Sequence, residues 1–150
     1  MKFKIRNAHP DDFDRLEQIL LGNNMLPFPE VDGKEAMQRV YEKMGDYFLV
    51  AESQEYPAKD PRIIGMIRGC YDGSRAVIHQ LSIDKEYQRK GAGKNLINTL
   101  LKIFKQDSAH SVSVTSDMGS KSYYDQLGFT DFTINLMVSL DINKIIKNTN

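Results

Sequence analysis

The spacing of apolar residues near the start of the chain predicts one strand followed by one helix. In "KFKIR", residues 2–6, apolar and charged side chains alternate, as they do in a half-buried strand. In "HPDDFDRLEQILLG", residues 9–22, apolar residues recur at helical spacing. We expect Asp11 or Asp12 to cap this helix and Gly22 to end it.

The next stretch, "GNNMLPFPEVDG", is predicted to be a loop. It spans residues 22–33 and holds two prolines and two glycines, which break regular structure. A second helix is predicted from Asp32 to Met44 because an apolar stripe returns there. Asp32 and Glu35 have the spacing of a capping box at its start.

The apolar period then changes from helical to strand-like. Three short runs rich in β-branched residues predict an antiparallel meander: "YFLVAES", "RIIGMIRGCY" and "AVIHQLSI". The linker between the first two runs is "QEYPAKDP". Asp72 and Gly73, between the last two runs, are a hairpin signal.

The last part of the chain alternates helical and strand-like segments. The predicted elements are a helix from Gly93 to about Gln106, a strand in "SVSVTS", a short helix in "SKSYYDQL" that ends at Gly128, a last strand in "FTINLMVSL", and a polar tail over residues 141–150 that is expected to fray. A strand, helix and strand in succession make "AVIHQLSI" and "SVSVTS" parallel neighbours. The order predicts one α/β domain over residues 1–150 with a mixed sheet.

Composition and charge narrow the class of ligand. The 150 residues fit one domain, and 20 Lys and Arg balance 20 Asp and Glu. A neutral chain does not favour broad binding to nucleic acid or to a membrane surface, so a small ligand is expected. Cys70 is the single cysteine, which excludes an intrachain disulfide and a cysteine-based zinc cluster, and no metal is expected. The absence of a signal-like or membrane-spanning stretch favours a soluble, cytoplasmic protein.

The stretch "EYQRKGAGKNLI", residues 86–97, has the composition of a phosphate-binding turn. Glycines let successive N–H groups converge on one anion, and the helix that follows adds its unpaired N–H groups and its positive dipole end. Arg89, Lys90 and Lys94 can add positive charge.

Two nucleotide-binding motifs fail here on residues that their chemistry needs. In the P-loop pattern, Gln88 stands where the first glycine is required, and Asn95 replaces the Ser or Thr that holds magnesium. In the dinucleotide pattern, Leu96 stands in place of the third glycine. A nucleotide-phosphate binder that uses "GAGK" is therefore disfavoured.

The hexapeptide "QRKGAG", residues 88–93, resembles the [Gln/Arg]-x-x-Gly-x-[Gly/Ala] turn of the GNAT superfamily of N-acetyltransferases. Its surroundings resemble the same family: "IRNAHPDDFDRL" is similar to the opening strand and helix, "IHQLSIDKEYQRKGAGKNLI" to the central strand, turn and helix, and "SYYDQLGF" to the late Tyr-x-x-Leu-Gly-Phe segment. The resemblance covers most of residues 3–140. It implies a largely antiparallel sheet with a splayed parallel strand pair and flanking helices.

The resemblance also implies acetyl-CoA as the acetyl donor. In the family, the pantetheine arm pairs with the main chain of the central strand, like an added strand. Here the corresponding residues are Leu81, Ser82 and Ile83. The turn residues implied to wrap the pyrophosphate are Arg89, Lys90, Gly91, Ala92, Gly93 and Lys94.

Three further residues take roles from the same resemblance. Tyr124 matches the tyrosine that many members place beside the coenzyme A sulfur as general acid, and the spacing to Phe129 selects it over Tyr123. His79 is a candidate general base on the central strand. Asp117 lies where relatives often carry an Asn that contacts the cofactor arm.

The acceptor is implied to be a primary amine on a small molecule, a peptide or a protein, and it attacks the thioester directly. Glu30 and Asp32 in the loop are candidates to attract a cationic amine. Cys70 is a poor candidate for an acyl-enzyme because it lies away from the turn. The alternative is a module that binds acyl-CoA without turnover. Family relatives are often dimers, so a homodimer is an open expectation.

Overall fold

A mixed five-stranded β-sheet is the framework of the chain in the computed structural model, which describes residues 2–54, 62–117, 119–132, 134 and 136–149. The strands follow their sequence order across the sheet: β1 (Phe3–Asn7), β2 (Phe48–Ser53), β3 (Ile63–Tyr71), β4 (Ala76–Ile83) and β5 (Val112–Val114). Strands β1 to β4 pair antiparallel, and β5 pairs with β4 in parallel. The predicted meander and parallel pair are confirmed.

The α-helices are α1 (Phe13–Gly22), α2 (Pro29–Asp32), α3 (Lys34–Met44), α4 (Ala92–Gln106), α5 (Lys121–Gln126) and α6 (Ile142–Thr149). The chain divides into two compact units, Met1–Thr115 and Ser116–Asn150. The sheet and helices α1 to α4 belong to the first unit, and α5 and α6 belong to the second. Within the described ranges, no helix has the length and hydrophobicity that crossing a membrane requires.

Helices cover both faces of the sheet in the first unit. Met66 of β3 packs in an apolar cluster with residues of α1 and α3. Gly69 lies three residues later, so it faces the other side of the pleat. A Cβ atom on Gly69 would lie 3.0 Å from Cζ of Phe104 in α4 and 2.4 Å from the Val77 carbonyl oxygen. Because both faces are covered, every residue of β2 is buried.

A β-bulge interrupts the pairing of β3 with β4. Arg68 is opposite Gln80, but the next residue, Gly69, is opposite Ile78. His79 is therefore the extra residue on β4. A bulge changes the direction of a side chain and increases the local twist, and bulges are enriched beside functional sites.

The parallel pair of strands is splayed, as the resemblance implied. β5 pairs with β4 at Ala76, Val77 and Ile78 only. Beyond the bulge, Gln80 to Ile83 keep their antiparallel partners on β3 but have no partner strand on the β5 side within the described part of the chain. This leaves a gap at the carboxyl end of β4.

The first helix begins differently from the prediction and ends at Gly22, as predicted. A 3-10 turn at Pro10–Asp12 precedes α1, and the Asp12 side chain does not cap the helix. Its carboxylate binds Arg6 instead, at 2.7 and 2.8 Å. Gly22 is the last residue of α1, and Asn24, with a φ of 56°, takes the left-handed conformation that follows.

The predicted loop and the start of the second predicted helix also need correction. The loop contains the short helix α2, whose first residue is Pro29, a residue with a backbone suited to a first turn. α3 then begins at Lys34 with Gly33 as its N-cap, so the predicted Asp32–Glu35 capping box is wrong. The Asp32 carboxylate binds Arg68 of β3 instead.

The second unit differs most from the prediction. Helix α5 is confirmed, with Gly128 in the left-handed conformation after it at a φ of 95°. The last strand, predicted over residues 132–140, is absent from the described residues of that range. The tail predicted to fray forms α6, and Asp141 Oδ1 caps it by accepting from the Asn143 and Lys144 amides at 3.0 and 3.3 Å.

Candidate active site

The gap beside β4 exposes main-chain groups of two of the three residues implied to hold the pantetheine arm. The Asp84 amide donates to the Ile64 carbonyl of β3 at 2.8 Å. Along an antiparallel strand, successive residues direct their N–H and C=O groups alternately toward one neighbouring strand and toward the other side. Because Asp84 faces β3, the main-chain groups of Leu81 and Ile83 point away from β3, toward the gap. Ser82 has the opposite orientation, and its main chain pairs with β3 opposite Met66.

The turn after β4 adopts a conformation that gathers N–H groups on one side. Arg89 has a φ of 60° and Gly91 a φ of 92°, so two positions in three residues are left-handed. Left-handed residues alternating with right-handed ones form concave nests that bind anions. Arg89 is not a glycine, and positive φ at such a residue is uncommon and concentrated at functional sites. No residue pattern in the sequence indicates this conformation at Arg89.

The first turn of α4 adds its own donors to the nest. Gly91 is the N-cap, and the first intrahelical bond runs from the Asn95 amide to the Gly91 carbonyl at 3.1 Å. The amides of Ala92, Gly93 and Lys94 therefore have no partner within the helix. A Cβ atom added to Gly91 would meet nothing within 4 Å, so the space on that side of the residue is open. The fifteen-residue helix directs its positive dipole end at the same space.

The cationic side chains of the turn differ in their surroundings. Arg89 and Lys94 are exposed. Lys90 Nζ lies 5.2 Å from the ring centroid of Tyr87, which is buried, in a cation–π contact. The main-chain donors of the turn are thus fixed by backbone geometry, while its side-chain charges lie at the surface.

Beside the gap, the bulge residue His79 contacts Cys70. Their Nε2 and Sγ atoms are 3.3 Å apart. The pKa of His79 lies below its usual value because burial and the Arg68 charge disfavour the imidazolium, although Asp32 partly offsets them. Burial, together with Asp72, raises the pKa of the Cys70 thiol. At neutral pH both groups are therefore uncharged.

A largely buried ion pair lies on the same face of the sheet. Arg68 lies two residues from both Met66 and Cys70 on β3, so the three side chains share one face of the sheet. Arg68 binds Asp32 of α2 and donates from Nε to Gln80 Oε1 at 3.0 Å. Its side chain is 12% exposed, and burial lowers its pKa. Of the two carboxylates predicted to attract an amine, Asp32 is thus neutralised, while the Glu30 side chain is exposed.

The second unit contains the two remaining predicted residues. Tyr124 is buried on α5, with its ring at T-shaped distance from Phe129 and Tyr123, 5.6 and 5.4 Å between centroids. Burial raises the pKa of its hydroxyl, and Tyr123 and Asp117 add to the rise. The carboxylate of Asp117 accepts from the Ser120 amide at 2.7 Å, and hydrogen bonds from Ser120 lower its pKa. Asp117 therefore holds the turn before α5 as an anion.

A cavity of about 630 Å³ lies elsewhere in the first unit, between the end of α4 and β5. Its lining includes Leu101, Phe104 and Val112, and it contains none of the predicted site residues. The site at β4 is instead an open cleft edge defined by main-chain groups, as expected where a ligand binds by adding to a sheet.

Known proteins match this chain in both sequence and fold. A family model described as an acetyltransferase (GNAT) domain matches residues 27–135. The GCN5-related N-acetyltransferase 2, chloroplastic, of Arabidopsis thaliana is 32% identical over 72 residues, which are 47% of this chain and 28% of the plant protein. The match thus spans less than a third of that relative's length.

Two archaeal crystal structures share the fold at low identity. PaiA N-acetyltransferase from Thermoplasma acidophilum, solved in complex with coenzyme A, has a TM-score of 0.74 and 19% identity over 90% of this chain and 94% of that one. Ard1 from Thermoplasma volcanium has a TM-score of 0.72 and 19% identity over 87% and 84%. These two structures share the fold, and the family model, which covers most of the residues, shows that the chain belongs to the GNAT acetyltransferase family.

Proposed function

We propose that the protein is an acetyl-CoA-dependent N-acetyltransferase that acts on a primary amine by direct attack in a ternary complex. The observation that carries the proposal is the continuity of the open edge of β4 with the left-handed turn at Arg89 and Gly91. An extended amide-bearing arm fits the edge, and the phosphates that end such an arm fit the nest. Acetyl-CoA supplies an activated thioester when bound.

On the donor side, the groups proposed to bind acetyl-CoA belong mainly to the main chain, so binding does not depend on particular side chains. Leu81 offers its N–H and carbonyl groups to the arm. Ile83 offers its N–H only, because its carbonyl accepts from Asn23 and Gln88. The amides of Ala92, Gly93 and Lys94 are the proposed donors to the pyrophosphate. Because helix and nest dipoles are fixed by the fold, they bind the anion without reorganisation. Arg89 and Lys90 add charge that is screened at the surface.

On the acceptor side, the reaction needs a proton acceptor. A lysine-like amine with a pKa near 10.4 is neutral in only about one molecule in 2,500 at pH 7. His79 is the proposed base, because its lowered pKa keeps the imidazole neutral and it lies on the bulge at the gap. The reaction forms a C–N bond and breaks a C–S bond, and the amine proton ends on the departing sulfur.

Tyr124 is proposed to serve that sulfur as a hydrogen-bond donor. A phenol with a pKa of 10 gives its proton to a thiolate near 8.5 only against about 2 kcal/mol, and burial makes the transfer less favourable still. A hydrogen bond that strengthens as charge develops on sulfur does not have this cost. The protonated phenol is therefore the functional state.

One alternative has specific support. In the first unit, the His79 ring is in contact with Cys70 and Asp32 is in an ion pair with Arg68. If neither group accepts a proton, the protein would bind acyl-CoA without turnover and act as a regulatory module.

A single assay separates the two functions. Release of coenzyme A thiol from acetyl-CoA would be followed with a panel of small amines, peptides with free N-termini and lysine peptides, and coenzyme A binding would be measured by calorimetry on the same protein. Binding with amine-dependent thiol release supports the transferase and identifies the acceptor class. Binding without release for any amine supports the binding module, and no binding contradicts both.

A further inference from the structure

Asn23 connects three parts of the first unit through its side-chain amide. Its Nδ2 atom donates to Ser82 Oγ and to the Ile83 carbonyl, both at 2.8 Å. Its Oδ1 atom accepts from Gln88 Nε2 at 3.3 Å, and Gln88 Nε2 also donates to the Ile83 carbonyl at 3.1 Å. The network thus joins the end of α1, the end of β4 and the first residue of the phosphate turn.

The orientation of the Asn23 amide is fixed by its partners. A main-chain carbonyl only accepts hydrogen bonds, so the group that faces Ile83 must be the Nδ2 amine. The oxygen then faces the Gln88 side chain, which must present its own amine because it also reaches the Ile83 carbonyl. Aspartate has the same shape but no donors, so it cannot replace Asn23 in this network.

Asn23 also begins the segment of residues 23–33, which carries Glu30 and Asp32, the two carboxylates predicted to attract the acceptor amine. Residues 23–33 run from α1 to α3, and the segment is tied to the sheet at both ends. Asn23 binds the end of β4, and Asp32 binds Arg68, which also binds Gln80 of β4. Both anchors therefore meet the strand whose open edge is the proposed donor site.

We propose that Asn23 is a positioning residue that couples the phosphate turn to the segment of residues 23–33, so that donor binding orders the acceptor side. The inference rests on the proposed function. Gln88 immediately precedes the left-handed residue Arg89, so a bond that holds Gln88 on β4 sets the angle at which the turn leaves the strand. A ligand that binds the turn then stabilises the same hydrogen bonds that hold residue 23, and the coupling is reciprocal.

The test compares Asn23→Ala with Asn98→Ala, a matched change on the exposed face of α4 at a residue without a described hydrogen bond. We expect Asn23→Ala to weaken coenzyme A binding about tenfold, as the loss of several hydrogen bonds implies, and Asn98→Ala to leave it unchanged. The coupling is measured by hydrogen exchange. In the wild type, coenzyme A should protect the amides of residues 24–33 as well as those of residues 92–94.

In Asn23→Ala, saturating coenzyme A should still protect residues 92–94 but no longer residues 24–33. A residue with only a general structural role would lower protection in both regions and also without ligand. Unchanged affinity in Asn23→Ala, or protection of residues 24–33 that persists, overturns the inference alone. Failure of the wild type to bind coenzyme A overturns the proposed function together with the inference.

If Asn23→Ala does not fold, Gln88→Ala breaks the network from the turn, where the side chain is exposed. It should also weaken coenzyme A binding and uncouple residues 24–33. Wild-type affinity and wild-type protection in Gln88→Ala would contradict the proposal.

Discussion

Cys70 Sγ and His79 Nε2 lie 3.3 Å apart across the bulge between β3 and β4. The thiol keeps its proton because burial raises its pKa. Sulfur is a weak acceptor and an imidazole nitrogen a strong one, so the favoured bond runs from Sγ–H to Nε2 and the ring proton lies on Nδ1. The bond to Cys70 must therefore open before Nε2 accepts a proton from the amine. Such a bond stabilises the neutral ring and acts in the same direction as burial and Arg68, which lower the His79 pKa. Asp32 is the neighbouring charge that opposes them.

Removing the thiol should therefore raise the pKa of His79 toward its usual value of 6.5. We expect Cys70→Ala to raise it and Cys70→Ser, which keeps a donor, to change it less. The titration of the His79 ring protons by NMR measures this directly. If His79 is the base, the acidic limb of the pH dependence of kcat/KM shifts in Cys70→Ala together with the His79 pKa measured by NMR. If the pKa shifts and the acidic limb does not, His79 is not the base.

Tyr124 and Tyr123 form a natural pair of test and control. Tyr124→Phe should lower kcat about 100-fold, because a donor to the developing thiolate is lost, with little change in the KM for acetyl-CoA. Equal changes in kcat and in cofactor binding would contradict the donor role.

Tyr123→Phe should leave kcat unchanged. The Tyr123 hydroxyl is buried and has no hydrogen-bond partner among the described residues, and a buried unpaired polar group destabilises a protein by about 1 kcal/mol or more. Tyr123→Phe is therefore expected to raise the free energy of unfolding, measured by urea denaturation, while the same change at Tyr124 removes a function.

Alanine substitutions at Gly91 and Gly73 distinguish an effect of backbone strain from an effect on ligand binding. Both have a φ of 92°, and a Cβ atom on either would meet nothing within 4 Å. Alanine at either position should cost about 1 kcal/mol of stability, because side chains disfavour the left-handed region. Gly91 lies in the proposed phosphate nest and Gly73 in the hairpin between β3 and β4.

Only Gly91→Ala should weaken coenzyme A binding, by about tenfold, because its methyl group would occupy the space through which the phosphate approaches the main chain. Calorimetry with coenzyme A and thermal unfolding of both variants provide the comparison. Similar losses of affinity in the two variants would show that strain, and not the loss of the approach, weakens binding.

The sequence predicts what local pattern controls and misses what distant residues decide. The alternation in "KFKIR" and the helical period after the glycine turn depend on neighbours in the chain, and the strand β1 and the helix α4 are both confirmed. Asp32 had the spacing of a helix cap, but its carboxylate binds Arg68, which is 36 residues away. The contact of Cys70 with His79 depends on a bulge, and no residue pattern indicated that bulge.

The last strand is the clearest example of this limit. "FTINLMVSL" alternates apolar and polar side chains, yet its described residues carry no strand. Alternation shows that a segment suits a half-buried strand, but a strand also requires a partner for its main chain. The tail illustrates the reverse case, because Asp141 caps α6 and three isoleucines form its apolar stripe.

Arg6 should be the most important ion-pair residue for the stability of the first unit. Its Nε atom donates to Glu52 at 2.6 Å and its two terminal nitrogens bind Asp12, while both carboxylates are nearly buried, with side chains 12% and 8% exposed. The bonds to Asp12 and Glu52 raise the pKa of Arg6, so the cation persists at any pH at which the protein folds.

Arg6→Met should lower the free energy of unfolding by about 3 kcal/mol, because it leaves two poorly solvated carboxylates without their cation. Lys34→Met is the control: its partner Asp14 lies at a similar 2.6 Å, but that carboxylate is 80% exposed, so water replaces the lost contact. Urea denaturation of the two variants measures the difference. A loss of stability in Lys34→Met as large as that in Arg6→Met would show that burial of the carboxylates does not determine the cost.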